Sequence, residues 1–330
     1  MIAGGTFDTP AERSGMRAGR RRLVERLAIG SLRAATFAIL AATILMLGSI
    51  AIGGASTVTW SFLTETPREG MTEGGIFPAI FGTLCITLLM ILMALPLGVC
   101  AAIYMVEYAG GSTLARVIRA SVNNLAGVPS IVFGLFGVGF FVLFIGRGID
   151  TLRGGGLLFG QPAMLWAAAT LAVLVLPVII VSTAEALNAV PRSHREAAFA
   201  LGATRWQVVR RVVLPQAKAG ILTGSILSIS RGAGETGPIL FTGCAYFLPR
   251  LPLAHLQVPF TSLSIPLVNP LDQFMELSYH IFIMATQSTN ATETRAIQYG
   301  TTLVLIGMTF CLNLGAIVLR TRARRRAVTV

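Results

Sequence analysis

The amino-acid sequence predicts an all-α polytopic membrane protein with six transmembrane helices. Three observations carry that prediction. Six apolar blocks, each near the roughly 20 residues that a helix needs to cross hydrocarbon, are spaced along the 330-residue chain. Only 12% of the residues are charged while 54% are hydrophobic, against about a quarter charged in an ordinary soluble domain. The basic residues also fall mainly on alternate sides of the blocks. Backbone amides find no water in lipid, so a spanning segment is a helix or part of a closed barrel. The short alternating segments of a barrel are absent.

The blocks cover residues 34–54, 79–106, 126–145, 164–183, 219–243 and 299–319. The first follows a polar, Arg-rich stretch over residues 1–33. It is longer than the apolar core of a signal peptide and has no small-residue cleavage site soon after it, so it reads as a retained helix. Of the 26 Lys and Arg residues, twenty lie on the side shared by the two ends and the second and fourth loops. Arg68, Arg147, Arg153, Arg250 and Arg295 lie opposite, and Arg231 sits inside the fifth block. The positive-inside rule then places both termini in the cytoplasm. One span more or fewer would blur this asymmetry. The expected organisation is a basic cytoplasmic tail over 1–33, a six-helix domain over 34–320 and a basic cytoplasmic tail over 321–330. Within the domain, residues 185–215 form a cytoplasmic loop and residues 244–298 a long outer loop.

The net charge of +12 does not point to nucleic acid, because the basic residues cluster at the ends and in one loop, without an aromatic-and-basic pattern. Cys85, Cys100, Cys244 and Cys311 form no C-x-x-C pair and read as small packing residues. His194, His255 and His280 have no metal-ligand spacing, so no metal and no cofactor is expected. The outer loop over 56–78 carries Glu65, Glu69 and Glu73. The loop over 244–298 holds Pro249, Pro252, Pro259, Pro266 and Pro270, and residues 267–286 are partly amphipathic. A helix lying against the outer ends of the spans is expected there. This loop serves either as a docking surface for an extracytoplasmic partner or as a passive lid.

The fourth loop is the most informative. Pro191 and Ser193 form a helix-start signal, with Glu196 three residues after Ser193 as in a capping box. Ala197, Ala198 and Ala200 favour helix, Gly202 stops it, and Leu214-Pro215 leads into the next span. The result is a short helix, a turn and a second short helix. By itself this pattern also suits an amphipathic helix at the lipid surface. The spacing of Glu196, Ala197, Ala198, Gly202, Val212, Leu214 and Pro215, however, resembles the EAA loop of bacterial ABC importer permeases. That resemblance implies a type I ABC importer permease fold, with a coupling helix seated in a groove of a cytoplasmic ATPase subunit. The chain contains no G-x-x-x-x-G-K-[ST] phosphate loop, so hydrolysis is expected of a separate subunit rather than of this chain.

Inside the fifth block the order is Ser230, Arg231, Gly232, Ala233, Gly234, Glu235, Thr236, Gly237, Pro238. An ionised residue at the centre of a span costs about 2.5–3.5 kcal/mol on insertion scales, so two of them mark a pathway or a self-neutralising pair. Arg231 and Glu235 are four residues apart and are expected to share a helix face. A guanidinium fork matches a tetrahedral oxyanion. A carboxylate beside it can accept a hydrogen bond from an oxyanion that carries a proton, as phosphate does near neutral pH and sulfate does not.

This segment is similar to the R-x-x-G-E-T-[AG]-P signature of phosphate importer permeases of the PstA/PstC type. Pro96 to Ala109, Leu125 to Gly134 and the Asn313-Leu314, Ala316-Ile317 and Arg320 pattern resemble the same family, the last favouring PstA. The resemblance covers roughly residues 75 to 320. It implies that Arg231, Glu235 and Thr236 belong to the substrate pathway, and that Glu196, Ala197, Ala198, Gly202, Leu214 and Pro215 form the ATPase coupling surface. The implied partners are a PstC-like second permease, a PstB-like cytoplasmic ATPase dimer, a periplasmic PstS-like phosphate-binding protein and membrane lipid, in a bacterial inner membrane. One departure is Val181, where many relatives carry an Arg. Two rivals remain at this stage. One is a permease for another oxyanion such as molybdate, sulfate or phosphonate; the other is a membrane scaffold or sensor partner that transports nothing.

Overall fold

The computed structural model describes residues 10–69, 73–257, 264–288 and 294–328. Residues 1–9 of the N-terminal tail, 258–263 and 289–293 of the long outer loop, and 329–330 of the C-terminal tail lie outside the described residues. The chain forms two units, Met1–Gly53 and Gly54–Val330. The first holds most of α1 (Pro10–Ala55), whose stretch Glu25–Ala55 is long and apolar enough to cross a membrane. The helix runs back past residue 34 into the basic segment, because Arg, Ala, Leu and Glu are good helix formers with or without lipid.

The second unit begins with α2 (Trp60–Thr64) and a small antiparallel pair, β1 (Pro67–Arg68) with β2 (Glu73–Gly74). Helix α3 (Phe77–Ile103) ends in a π-helical turn at Tyr104–Tyr108 and is followed by α4 (Thr113–Ala126). Helix α5 (Ser130–Gly137), a π-helical run at Val138–Gly146 and α6 (Arg147–Leu152) form one continuous rod. Then come α7 (Met164–Asn188), α8 (Arg192–Ala200) and α9 (Arg205–Val208), which continues through a π-helical turn at Val209–Val213 into α10 (Leu214–Gly232). The chain closes with β3 (Leu253–Gln257) antiparallel to β4 (Ser264–Val268), α11 (Leu277–Thr286) and α12 (Thr294–Val328). Among the described residues six helical stretches can span: Glu25–Ala55, Phe77–Tyr108, Ser130–Leu152, Met164–Asn188, Arg205–Gly232 and Thr294–Arg322. The mostly helical, six-span architecture is therefore as expected.

Two spans sit differently from expectation. The third starts at Ser130 because Gly127-Val128-Pro129 breaks the chain after α4. The fifth runs from Arg205 to Gly232 rather than over 219–243. Pro215 directly follows the π-helical turn at Val209–Val213, whose shifted hydrogen bonding absorbs the missing N–H, so the helix passes through it. Beyond Gly232 the glycines and Pro238 end the helix in turns. The expected helix over 267–286 is confined to α11, with β4 and a turn before it.

Helix α7 is the centre of the second unit. It is buried along nearly its whole length, and α3, α4, α5 and α10 pack against it. Lipid tails are as apolar as leucine, so close packing rather than a hydrophobic drive holds such helices together. Small residues permit that packing. A Cβ on Gly98 of α3 would lie 2.6 Å from Ile179 Cγ2, and one on Gly224 of α10 would overlap the Ser182 side chain. Met90 and Ala94 of α3 join Leu171, Val175 and Ile179 of α7 in one cluster. Ala102, Leu187, Val190, Val208, Val213 and Ala217 form another at the α8 end. Hydroxyls inside the helices bond back to carbonyls one turn earlier, as Thr87 Oγ1 does to Thr83 O at 2.6 Å and Ser228 Oγ to Gly224 O at 2.9 Å.

Gly224→Leu is expected to destabilise the folded chain by about 1–3 kcal/mol or more through overpacking against Ser182. Gly307→Ala, where a Cβ meets nothing within 4 Å, is expected to be neutral or slightly stabilising. Thermal unfolding of the two variants in detergent, followed by helix content, checks the contrast.

Candidate pathway turn and coupling helix

Helix α8 projects from the bundle with none of its residues buried. Glu196 and Ala197 are exposed, Ala198 is half-buried, and Phe199, Leu201 and Trp206 present large apolar side chains to the outside. Gly202 follows the helix at φ +80°, a backbone conformation that a β-branched residue would strain against. The Ser193–Glu196 capping box does not form: Pro191 is the N-cap and gives no side-chain hydrogen bond. The capping box lies instead at the start of α9. There Thr204 Oγ1 accepts the Gln207 N–H at 3.4 Å, and Gln207 Oε1 accepts the Thr204 N–H at 2.8 Å. Leu214 and Pro215 stand one helical stretch further on, at the start of α10.

The anchor of α8 is Arg195, which the motif reading missed. Its Nη2 donates to Glu107 Oε1 at 2.9 Å and to Leu187 O at 2.7 Å, and its Nη1 donates to Val190 O at 2.6 Å. Both partners of the ion pair are largely buried, at 15% and 13% side-chain exposure. One guanidinium thus ties the exposed helix to the end of α7, to Val190 just after it and to the π-helical turn after α3. His194 Nδ1 adds a contact at 2.9 Å from Gln216 Oε1 of α10. The available signal was Arg195 beside the motif and Glu107 in another family-like stretch, but nothing in sequence spacing joins positions 88 residues apart.

Arg231 occupies the last turn of α10 and Glu235 the turn after it. They form an ion pair, Arg231 Nε donating to Glu235 Oε1 at 3.2 Å, but they do not share a helix face as expected, because α10 ends at Gly232. Arg231 is 40% and Glu235 21% exposed, so the pair is open on one side. Its level along the bundle is set by Gly232, whose Cβ position meets Met90 midway along α3 and comes 3.9 Å from Val175 midway along α7. Ser230 Oγ, beside Arg231, donates to Asn313 Oδ1 of α12 at 2.5 Å. The following turn packs on α5, with a Cβ on Gly134 falling 2.6 Å from Gly237 O.

Thr236 leads to a second feature that the sequence did not disclose. Its hydroxyl donates to Ser278 Oγ at 3.0 Å, and Ser278 Oγ donates to Glu276 Oε2 at 2.5 Å. Glu276 caps α11, accepting the Tyr279 N–H at 2.8 Å, and is 2% exposed. Burial pushes its carboxyl above the usual glutamate range, and these hydrogen bonds act the other way. Thr83 Oγ1 of α3 accepts the Leu277 N–H at 3.0 Å. The turn after Arg231 is therefore connected by hydroxyls to α11 and to α3. Arg231, Glu235 and Thr236 lie together, and the α8 residues form a separate, exposed cluster.

Removing Arg195 leaves Glu107 buried without its cation, a loss of about 3–5 kcal/mol for a buried pair. Arg195→Ala and Glu107→Ala, taken as a double-mutant cycle in thermal or denaturant unfolding, are expected to couple by about 1–3 kcal/mol.

The family described as binding-protein-dependent transport system inner membrane component matches residues 94–328. A probable ABC transporter permease protein of Bacillus subtilis (strain 168), YqgI, is 33% identical over 299 residues, covering 90% of this chain and 95% of that one. The phosphate transport system permease protein PstA of Mycobacterium leprae (strain TN) is 40% identical over 194 residues, which are 58% of this chain and 59% of that protein. Among solved structures, a bacterial ABC transporter involved in the import of the acidic polysaccharide alginate aligns with a TM-score of 0.61 at 16% identity, over 91% of this chain and 99% of its own, and so shares the fold. The match over residues 94–328, together with the 33% identity to a permease along nearly the whole of both chains, establishes that the chain belongs to the family of binding-protein-dependent transport system inner membrane components.

Proposed function

We propose that this chain is the PstA-type permease subunit of an ATP-driven inorganic phosphate importer, in which it forms the pathway with a second, PstC-like permease. The observation that carries the reading is the Arg231–Glu235 pair, open on one side and level with the middle of α3 and α7. A charged pair at that depth is costly even when its members neutralise each other, and one left open on a side is suited to a pathway; a guanidinium beside a carboxylate suits an oxyanion that carries a proton. The PstA relative, 40% identical, supports phosphate as that oxyanion.

In this reading α8 faces the cytoplasm, as do both termini and the basic tails over 1–33 and 321–330. Segment 185–215 engages a PstB-like ATPase dimer through Glu196, Ala197, Ala198, Gly202, Leu214 and Pro215. ATP-driven closure of that dimer displaces α8, and the Arg195 contacts carry the displacement to α7 and α3 as a rigid-body movement. A PstS-like binding protein delivers phosphate at the opposite face, where segment 244–298 lies. Arg231 and Glu235 meet the anion midway, with Thr236 joining that point to α11. The chain has no phosphate loop of its own and serves as the transport subunit.

Two measurements test this. In proteoliposomes holding the assembled complex, Arg231→Gln is expected to lower labelled phosphate uptake about 10- to 100-fold or more, the value of a charged hydrogen bond or two, with assembly intact. Normal uptake by that variant removes Arg231 from the pathway. Gly202→Val is expected to leave the ATPase bound but to cut uptake per ATP hydrolysed, because a β-branched residue at φ +80° distorts the end of α8. Unchanged coupling would sink the role given to this loop.

A further inference from the structure

Helix α4 and helix α7 enclose a cleft that the pathway described above does not use. One part, of about 260 Å³, is lined by Arg119 and Asn123 of α4, Val181, Glu185 and Asn188 of α7, and Val106 after α3. The adjoining part, of about 350 Å³, shares Val122, Asn123, Val181 and Glu185 with it and extends to Ala126, Pro177 and Leu227. The cleft therefore follows α7 from its α8 end up to Pro177, about halfway along that helix. Leu227 lies four residues before Arg231 on α10, so the two share a helix face about 6 Å apart along the axis. The upper end of the cleft thus opens towards the Arg231 turn, and its lower end opens beside α8.

Arg119 is the guanidinium of this cleft. Among the described residues it makes no hydrogen bond and no ion pair, whereas its neighbour one turn back, Arg116, donates to Thr113 Oγ1 at 3.2 Å. Glu185 lines the same cleft without pairing to Arg119. A free cation facing a channel, with the amides of Asn123 and Asn188 beside it, is an anion contact in search of an anion. Buried Ala115 and Val122 lie four residues before and three after Arg119, on the same face of α4, and hold that face, Arg119 included, towards the bundle and the cleft. Val181, directly in the cleft wall, brings no charge of its own.

We propose that Arg119 is a second anion-holding point, on the inner half of the route, which takes the phosphate oxyanion once it leaves Arg231 and passes it to the α8 end. The proposal rests on the phosphate reading above. Glu185 on the facing helix keeps the hold weak. Conduction requires sites that bind well enough to admit the ion and loosely enough to release it. The same chemistry also fits the phosphate of a lipid headgroup entering the cleft from the side, and the test separates the two sources.

The full complex with its second permease, ATPase and binding protein is reconstituted in vesicles of a phosphate-free galactolipid and, in parallel, of phosphatidylglycerol. Arg119→Gln is expected to lower labelled phosphate uptake about tenfold in both lipids, the value of one charge-assisted contact, with an unchanged melting temperature. Arg119→Lys is expected to keep most of the rate. The double variant Arg119→Gln with Val181→Arg, which moves the cation across the cleft, is expected to recover it. Parental uptake by Arg119→Gln overturns this proposal while leaving the phosphate reading in place. A loss confined to phosphatidylglycerol also overturns it, by assigning the cleft to a headgroup. No phosphate uptake by the parental complex would instead bring down the phosphate reading itself.

Discussion

Close backbone contact with α7 is the constraint on which the second unit depends. Without a hydrophobic drive between helices in lipid, α3 and α10 stay on α7 only because side chains at the crossings are small or absent. Gly98 meets Ile179, Gly220 meets Ala186 and Gly224 meets Ser182. These contacts lie along the C-terminal half of α7, on the α8 side of the Arg231 turn, and they set the height of that turn. Because α10 is locked by Gly220 and Gly224, its last turn must end beside Met90 and Val175. The cation at position 231 is carried to mid-bundle by packing far from itself.

From there the backbone leaves the helix, which lipid alone would not tolerate. The turns after Gly232 are accommodated by protein: Gly237 sits on the start of α5, and Thr236 bonds Ser278. Glu276 then closes the chain of hydroxyls onto the first turn of α11. A helix broken at this depth exposes a charged pair on one side while the Thr236 hydroxyl and the Gly234, Glu235 and Leu240 N–H groups find partners within the protein. That division suits the proposed pathway, in which one anion contact must stay available and the surrounding backbone must not compete for it.

The α8 end obeys a different logic. A helix with no fully buried residue, only Ala198 packed part-way against the neighbouring cluster, has little packing to hold its angle, so its orientation leans on charge-assisted bonds, roughly twice as strong as neutral ones. Arg195 places three such contacts on two other elements at once. For a proposed coupling element this is a useful arrangement, since the exposed face remains free while the base is rigidly joined to two spans.

Span number, their order and the location of both candidate sites could be read in the linear chain, because hydropathy, charge asymmetry and motif spacing are properties of neighbours in sequence. The EAA-like spacing around Glu196 and the Arg231–Pro238 signature belong to that class. Three features could not be read. The fifth span slid towards its N-terminus because a π-helical turn before Pro215 lets the helix run through it while the chain leaves the helix after Gly232, a choice that only the surrounding packing settles. The capping box moved from Ser193 to Thr204, since both carry local cap chemistry and the tertiary path selects one. Arg195–Glu107, Thr236–Ser278–Glu276 and the Arg119 cleft join residues tens of positions apart. Sequence by itself determined which segments prefer lipid and which hold the candidate-site residues, because burial in a membrane is decided segment by segment. Tertiary structure alone decided which charges meet and which stay open, because that depends on how closely helices approach, and the approach is set by single missing side chains on α3 and α10.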